Sequence, residues 1–244
     1  MNNIGFGIFC FGENFYYRGT KEKIKQLLNA ELSVYVLTDK PEEFIEYPQV
    51  HVIQYNRHLK SYSDKMILPK YILKNHDICI LLDADTHVTD YSFLESLKTY
   101  SFNKGVSYID TLLNHSAKKG IVKDLVNETN PEWKTYVDYA SKLYPPFFNF
   151  ETMWEYFLII NKDGFDVNSF YHYYEKLQVV KEYSDLPLKK EISGAGEGIS
   201  IQISCKSANI EIQRDIKLYK LLEGKMISIS RRHTPRHLWP NWMR

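Results

Sequence analysis

The most constraining stretch of this chain is Ile78, Cys79, Ile80, Leu81 and Leu82, followed by Asp83-Ala84-Asp85 and then Thr86, His87 and Val88. Five consecutive apolar residues are too few for a typical helix. A continuous apolar run bounded by polar residues reads as a strand buried on both faces, as in a parallel sheet. Where such a strand ends the chain must surface, and here it delivers two carboxylates around a small residue. Alternate residues of an extended chain point the same way, so Asp83 and Asp85 can converge on one point. Two convergent hard anionic ligands at the carboxyl edge of a sheet suit a divalent cation that itself holds a diphosphate. The alternative is a solvated strand-to-loop turn, because Asp is a common turn residue.

The flanking sequence supplies a frame for that strand. Residues 4–11 form a short apolar segment in which Ile8, Phe9 and Phe11 favour β structure, and Gly12-Glu13-Asn14 breaks it. Residues 15–19 then read as a loop before a helix over 20–30. Thr20 is its N-cap, Lys23 stands at N3 without completing a capping box, and Ile24, Leu27 and Leu28 form one apolar face. Residues 32–37 are a second strand closing on Thr38-Asp39, and 50–54 a third. Strand, helix, strand is a βαβ unit, which implies a parallel sheet with right-handed crossovers. Ser63-Asp64 opens a helix carrying Met66, Ile67, Tyr71, Ile72 and Leu73, in which Pro69 forces a kink unless the helix starts later.

Beyond residue 105 the pattern loosens. Strands are expected at 106–109, 156–160 and 225–230, and helices at 92–100 and 168–177. Gly194-Ala195-Gly196-Glu197-Gly198 reads as a turn, and the tail from Arg231 to Arg244 is basic and aromatic.

Composition narrows the function. The length of 244 residues suits one large α/β domain or one domain with an appended lobe, and 44% hydrophobic and 25% charged content is that of an ordinary globular protein. A net charge of +1 gives no global field of the kind nucleic-acid binders show, so there is no strong nucleic-acid signal and anion binding must be local. Cys10, Cys79 and Cys205 lie in apolar surroundings with no zinc spacing, as reduced core residues do. The N-terminus has no basic n-region, and no run reaches the roughly 18 apolar residues of a membrane span, so a cytoplasmic protein is expected. Aromatic residues make up 15%, with 19 tyrosines; some of these belong to the core, and exposed Tyr and Trp also offer sugar or base platforms.

In this order, the strand at 4–11 with its Tyr16-Tyr17-Arg18 loop, the strand ending on Thr38-Asp39, the Ser63-Asp64-Lys65 helix start and Leu81-Leu82-Asp83-Ala84-Asp85-Thr86 resemble a nucleotide-sugar glycosyltransferase of the GT-A type. Similar groups are the glycogenin and galactosyltransferase-like families and the blood-group transferases. The resemblance implies an α/β, Rossmann-like, mostly parallel sheet flanked by helices, with a C-terminal acceptor-side region. Residues 1–100 would form the nucleotide-sugar-binding half. Residues 101–244 would form the acceptor-side half and a C-terminal lid, in one continuous domain.

The resemblance also implies a metal-dependent transfer of a hexose from a nucleotide sugar, a UDP-sugar in the first instance, to a hydroxyl acceptor such as a glycan. The cofactor would be Mn²⁺ or Mg²⁺. Asp85 would bind the cation directly, and Asp83 the ribose, or the cation through water. A third ligand from the C-terminal strand's end falls on His233, with His237 in reserve, while Arg231, Arg232 and Arg236 would cover the diphosphate. Tyr16 or Tyr17 would stack on the base, with backbone groups over Phe9–Phe11 reading its edge. Arg18 would face the phosphates, Asp39 the base or ribose, and Lys65 the donor. Glu197 is the candidate general base, and Glu155, with Glu151 around Trp154, the second carboxylate near the sugar. Each of these has a plainer reading, as packing, helix capping or solvated surface. Two other functions stand beside this one: a sugar-1-phosphate nucleotidyltransferase, whose Gly-rich phosphate loop Gly12-Glu13-Asn14 does not supply, and a non-catalytic nucleotide-sugar-binding protein.

Overall fold

The computed structural model describes residues 1–55, 62–109, 138–150, 153, 157–183 and 193–228; over 62–63, 147–148, 178–183, 193–197 and 227–228 it describes the backbone alone. Among the described residues seven strands form one sheet in the order β3-β2-β1-β4-β7-β6-β8. They are β1 (Ile4–Cys10), β2 (Ser33–Thr38), β3 (His51–Gln54), β4 (Ile78–Asp83), β6 (Gly105–Tyr108), β7 (Phe157–Asn161) and β8 (Ile212–Arg214). β1 lies parallel to β2 and β4, and β2 parallel to β3, as the βαβ pattern requires. β7 runs antiparallel to both β4 and β6. The apolar run of β4 is therefore buried between one parallel and one antiparallel neighbour; the wholly parallel setting expected for it holds on one side only.

Period-two alternation sorts the side chains onto two faces. Phe6, Ile8, Val34, Val36, Ile80, Leu82 and Ile159 share a core with α1 (Asn14–Asn29), α3 (Phe93–Leu97) and α6 (Ile216–Leu222). Phe9, Leu37, Cys79, Leu81, Leu158 and Ile160 share another with α2 (Leu68–Ile72), α4 (Val167–Tyr183) and α5 (Ser193–Ser207). Gly5 and Gly7 in β1 have a packing cause. A Cβ at Gly5 would lie 2.6 Å from Ile72 Cγ2, and one at Gly7 2.9 Å from Ile72 Cδ1, so their absence lets α2 press onto the sheet. The three cysteines are free and buried, as expected of core residues.

Several elements differ from the sequence reading. α1 begins at Asn14, not Thr20, so residues 15–19 are helical and Thr20 is a buried interior position. The Pro69 conflict is resolved by a 3₁₀ stretch, Tyr62–Ile67, after which α2 starts at Leu68 with Pro69 in its first turn, where its missing N–H costs nothing. The glycine-rich 194–198 segment is the first part of α5 and not a turn before it. A ribbon of β5 (Thr86–Val88) and β9 (Met226–Ser228) pairs antiparallel outside the main sheet, and β5, β8 and α6 were not foreseen. Among the described residues no helix is long and apolar enough to cross a membrane.

Candidate active site

From β1 the chain steps outward to β2 and β3, then returns to place β4 on the other side of β1. The sheet therefore has a topological switch point between β1 and β4, and ligands of open α/β sheets bind outside the strands' carboxyl ends at such a point. β4 ends there on Asp83, opposite Phe9 of β1. Asp83 continues the face of Cys79 and Leu81, and on that side the buried Lys65 Nζ donates to its Oδ1 at 3.0 Å. A turn follows at residues 84–85, and Thr86 enters β5.

Asp85 is half-buried. Desolvation, reinforced by the nearby Asp83 charge, pushes its carboxyl up to about 7, against the pull of Lys23 and Lys65. Two carboxylates that crowd each other in this way are relieved by a cation between them, and their oxygens are the hard donors that Mg²⁺ or Mn²⁺ takes. The donor set therefore fits such an ion. Among the described residues, no cluster of three or more His, Cys, Asp or Glu side chains is placed to hold one.

The beginning of α1 forms the other wall. Starting the helix at Asn14 puts Tyr17, Thr20, Ile24 and Leu27 on one stripe, all buried against the sheet. Tyr17 is thus withdrawn from the pair of candidate stacking residues. Its ring packs beside Phe44 at 6.2 Å between centroids, and its hydroxyl donates to Asp39 Oδ1 at 2.7 Å. Burial and the Asp39 carboxylate both raise its pKa, so it stays a phenol. Tyr16 is half-buried, its ring 3.9 Å from that of Phe15. Arg18 and Asp39 are exposed. A pocket of about 400 Å³ lined by Asn14, Tyr17, Arg18 and Glu43 opens beside them. Phe9 lies inside the β1 ladder between Leu37 and Asp83, and Phe11 stands one residue past the strand's end, its ring 4.5 Å from that of Phe9.

The remaining candidates are less fully placed. Glu197 belongs to the first part of α5, its side chain outside the described atoms. Glu151, Trp154 and Glu155 lie outside the described residues, as do Arg231, Arg232, His233, Arg236 and His237. β9 does bring the chain to this corner, since Ser228 pairs with Thr86, the residue after Asp85.

One residue of the site was missed. Lys23 of α1 is 2% exposed, and its Nζ donates to the carbonyl oxygen of Ala84 at 2.7 Å, inside the Asp-Ala-Asp motif. The signal was available, because Lys23 stands three residues after Thr20 and four before Leu27, on the core stripe and not the solvated face.

No family model matches the chain, and no curated protein is similar to it in sequence. Solved structures are similar to it. The apo structure of the bifunctional glycosyltransferase WbbM aligns over 94% of this chain and 46% of its own, with a TM-score of 0.50 at 11% identity. The galactosyltransferase LgtC, in complex with donor and acceptor sugar analogues, aligns over 91% and 79%, with a TM-score of 0.48 at 11% identity. The glycosyltransferase GlyE of Streptococcus pneumoniae TIGR4 aligns over 90% and 46%, with a TM-score of 0.44 at 14% identity. The chain spans less than half the length of the WbbM chain. The likeness to WbbM is one of fold, and the fold is the GT-A type expected from the sequence.

Proposed function

We propose that the protein is a glycosyltransferase that moves a hexose from a nucleoside-diphosphate sugar, a UDP-sugar, to a hydroxyl of a glycan or similar acceptor, with Mn²⁺ or Mg²⁺ held at Asp83 and Asp85. The observation that carries this reading is the position of the Asp pair at the β1/β4 switch point, on a sheet of the GT-A type. When bound, the cation supplies a Lewis acid that stabilises charge on the departing diphosphate. Asp83 shares its Oδ1 with Lys65, which favours Asp85 as the direct ligand and leaves Asp83 to the ribose or to a water on the cation. Lys65 is close enough to the carboxylates to meet the donor as well.

On the α1 side, the half-buried Tyr16 is the residue left to stack on the base. Arg18, exposed on the first turns of α1, faces the phosphates, and Asp39 faces the base or ribose with the Tyr17 hydroxyl fixing its orientation. Glu197 is assigned the acceptor hydroxyl as general base, Glu155 the sugar, Arg231 and Arg232 the diphosphate and His233, with His237 in reserve, the third place on the cation. The test is incubation with UDP- and GDP-sugars with and without Mn²⁺, measuring release of nucleoside diphosphate. Metal-dependent release from at least one donor is expected; none from any donor would contradict the reading. Glu197→Gln should leave donor binding intact and lower turnover, and wild-type turnover in that variant would remove Glu197 from the mechanism.

A further inference from the structure

The Asp-Ala-Asp motif is gripped from both faces of the sheet. Lys65, from the 3₁₀ stretch before α2, holds the Asp83 carboxylate at 3.0 Å. Lys23, from α1 on the opposite face, holds the Ala84 carbonyl at 2.7 Å and the Gly19 carbonyl, one turn back in its own helix, at 3.2 Å. Burial lowers the pKa of Lys23 to about 8, against the opposing pull of Asp85 and Asp83. An ammonium desolvated to this degree is a poor device for stability. An apolar side chain of the same length would fill the volume without the desolvation penalty.

What the ammonium does secure is a direction. The chain turns at residues 84–85, directly after β4, and the peptide unit from Ala84 to Asp85 is rigid and planar. Fixing the Ala84 carbonyl oxygen therefore fixes the plane from which Asp85 departs. Asp83 is fixed by β4 and Lys65, so the contact at Ala84 is what fixes the turn residue Asp85 relative to it.

We propose that Lys23 is a positioning residue of the donor site: by holding the Ala84 carbonyl it sets the orientation of the Ala84–Asp85 peptide, and with it the separation of the two carboxylates. The proposal rests on the donor-site reading above. The test uses the full chain with Lys23→Met, titrated calorimetrically with UDP in the presence of Mn²⁺ (GDP if wild type does not bind UDP), together with thermal melting of the ligand-free protein. Metal-dependent nucleotide affinity should fall about tenfold or more, which is what one hydrogen bond from a charged group carries. The melting temperature should shift by no more than a few degrees, because loss of the desolvated charge offsets the Ala84 carbonyl left unpaired. In nucleoside-diphosphate release, the donor KM should rise by a larger factor than kcat falls. Wild-type affinity in the variant would overturn the proposal. So would a variant that loses folding and binding together, since Lys23 would then be structural. Failure of wild type to bind either nucleotide with Mn²⁺ would overturn the donor-site reading first and this proposal with it, and that outcome is seen before any substitution is made.

Discussion

Asp85→Asn tests whether the second carboxylate is held in the strained setting described above. Asparagine keeps the size of the protonated carboxyl and cannot ionise, so the variant removes one titration and little else. In the folded, metal-free protein the Asp85 carboxyl is raised from its ordinary 3.8 to about 7 by desolvation and by Asp83. Because the folded value is above the unfolded one, the stability it contributes is fully present below 3.8 and lost as pH rises through 7. Between pH 5.5 and pH 8 the wild type should therefore lose about 2 kcal/mol that the variant keeps. For a chain of this size that corresponds to a change of roughly 4–8 °C in the melting-temperature difference between the two proteins. The assay is thermal melting of both proteins across that range in EDTA, with the exposed Asp90→Asn as a control for general charge effects. A difference in melting temperature that does not vary with pH would refute the reasoning.

Three further outcomes follow from the packing. Lys65→Met leaves the partly solvated Asp83 without its 3.0 Å partner and should cost about 2 kcal/mol by denaturant titration, with Asp83→Asn in the same chain recovering part of it; additive losses would mean that the pair is not coupled. Tyr17→Phe removes the hydrogen bond to Asp39 and should cost about 1 kcal/mol while raising donor KM, whereas unchanged stability and KM would show that Asp39 needs no such support. Gly105→Ala meets a backbone at φ +70 and a Cβ position 2.4 Å from the Glu211 carbonyl oxygen, so a loss of about 2 kcal/mol or more is expected on melting, and a neutral result would contradict the close β6–β8 approach.

The legible part of this molecule was the part written in short-range pattern. The apolar run into Asp83, the closure of β2 before Asp39 and the βαβ spacing depend on local periodicity, and the strands appear within a residue or two of where that periodicity puts them. The beginning of α1 was misread because Gly12-Glu13-Asn14 looks like a loop and Thr20 like a cap, although Tyr17 already lies on the stripe that Ile24 and Leu27 continue. Tertiary burial outweighed the capping preference there. β7 looked like any other buried strand; its antiparallel direction depends on a partner far away in the chain, which no local pattern encodes. β5 is three residues long and gains its identity from pairing with β9, which falls within the strand expected at 225–230. Lys23 escaped for a different reason: a lysine is assumed to be solvated unless its helical phase is checked against its neighbours, and the carbonyl it serves is 61 residues away.

The most direct test of the central claim is a calorimetric titration of UDP into the wild-type protein and Asp85→Ala, each with and without Mn²⁺. Binding by wild type only when the metal is present, and loss of that metal dependence with the loss of binding in Asp85→Ala, is the predicted result. Nucleotide binding that ignores both Mn²⁺ and the Asp85 carboxylate would contradict the assignment of the Asp83–Asp85 pair as the anchor of the donor.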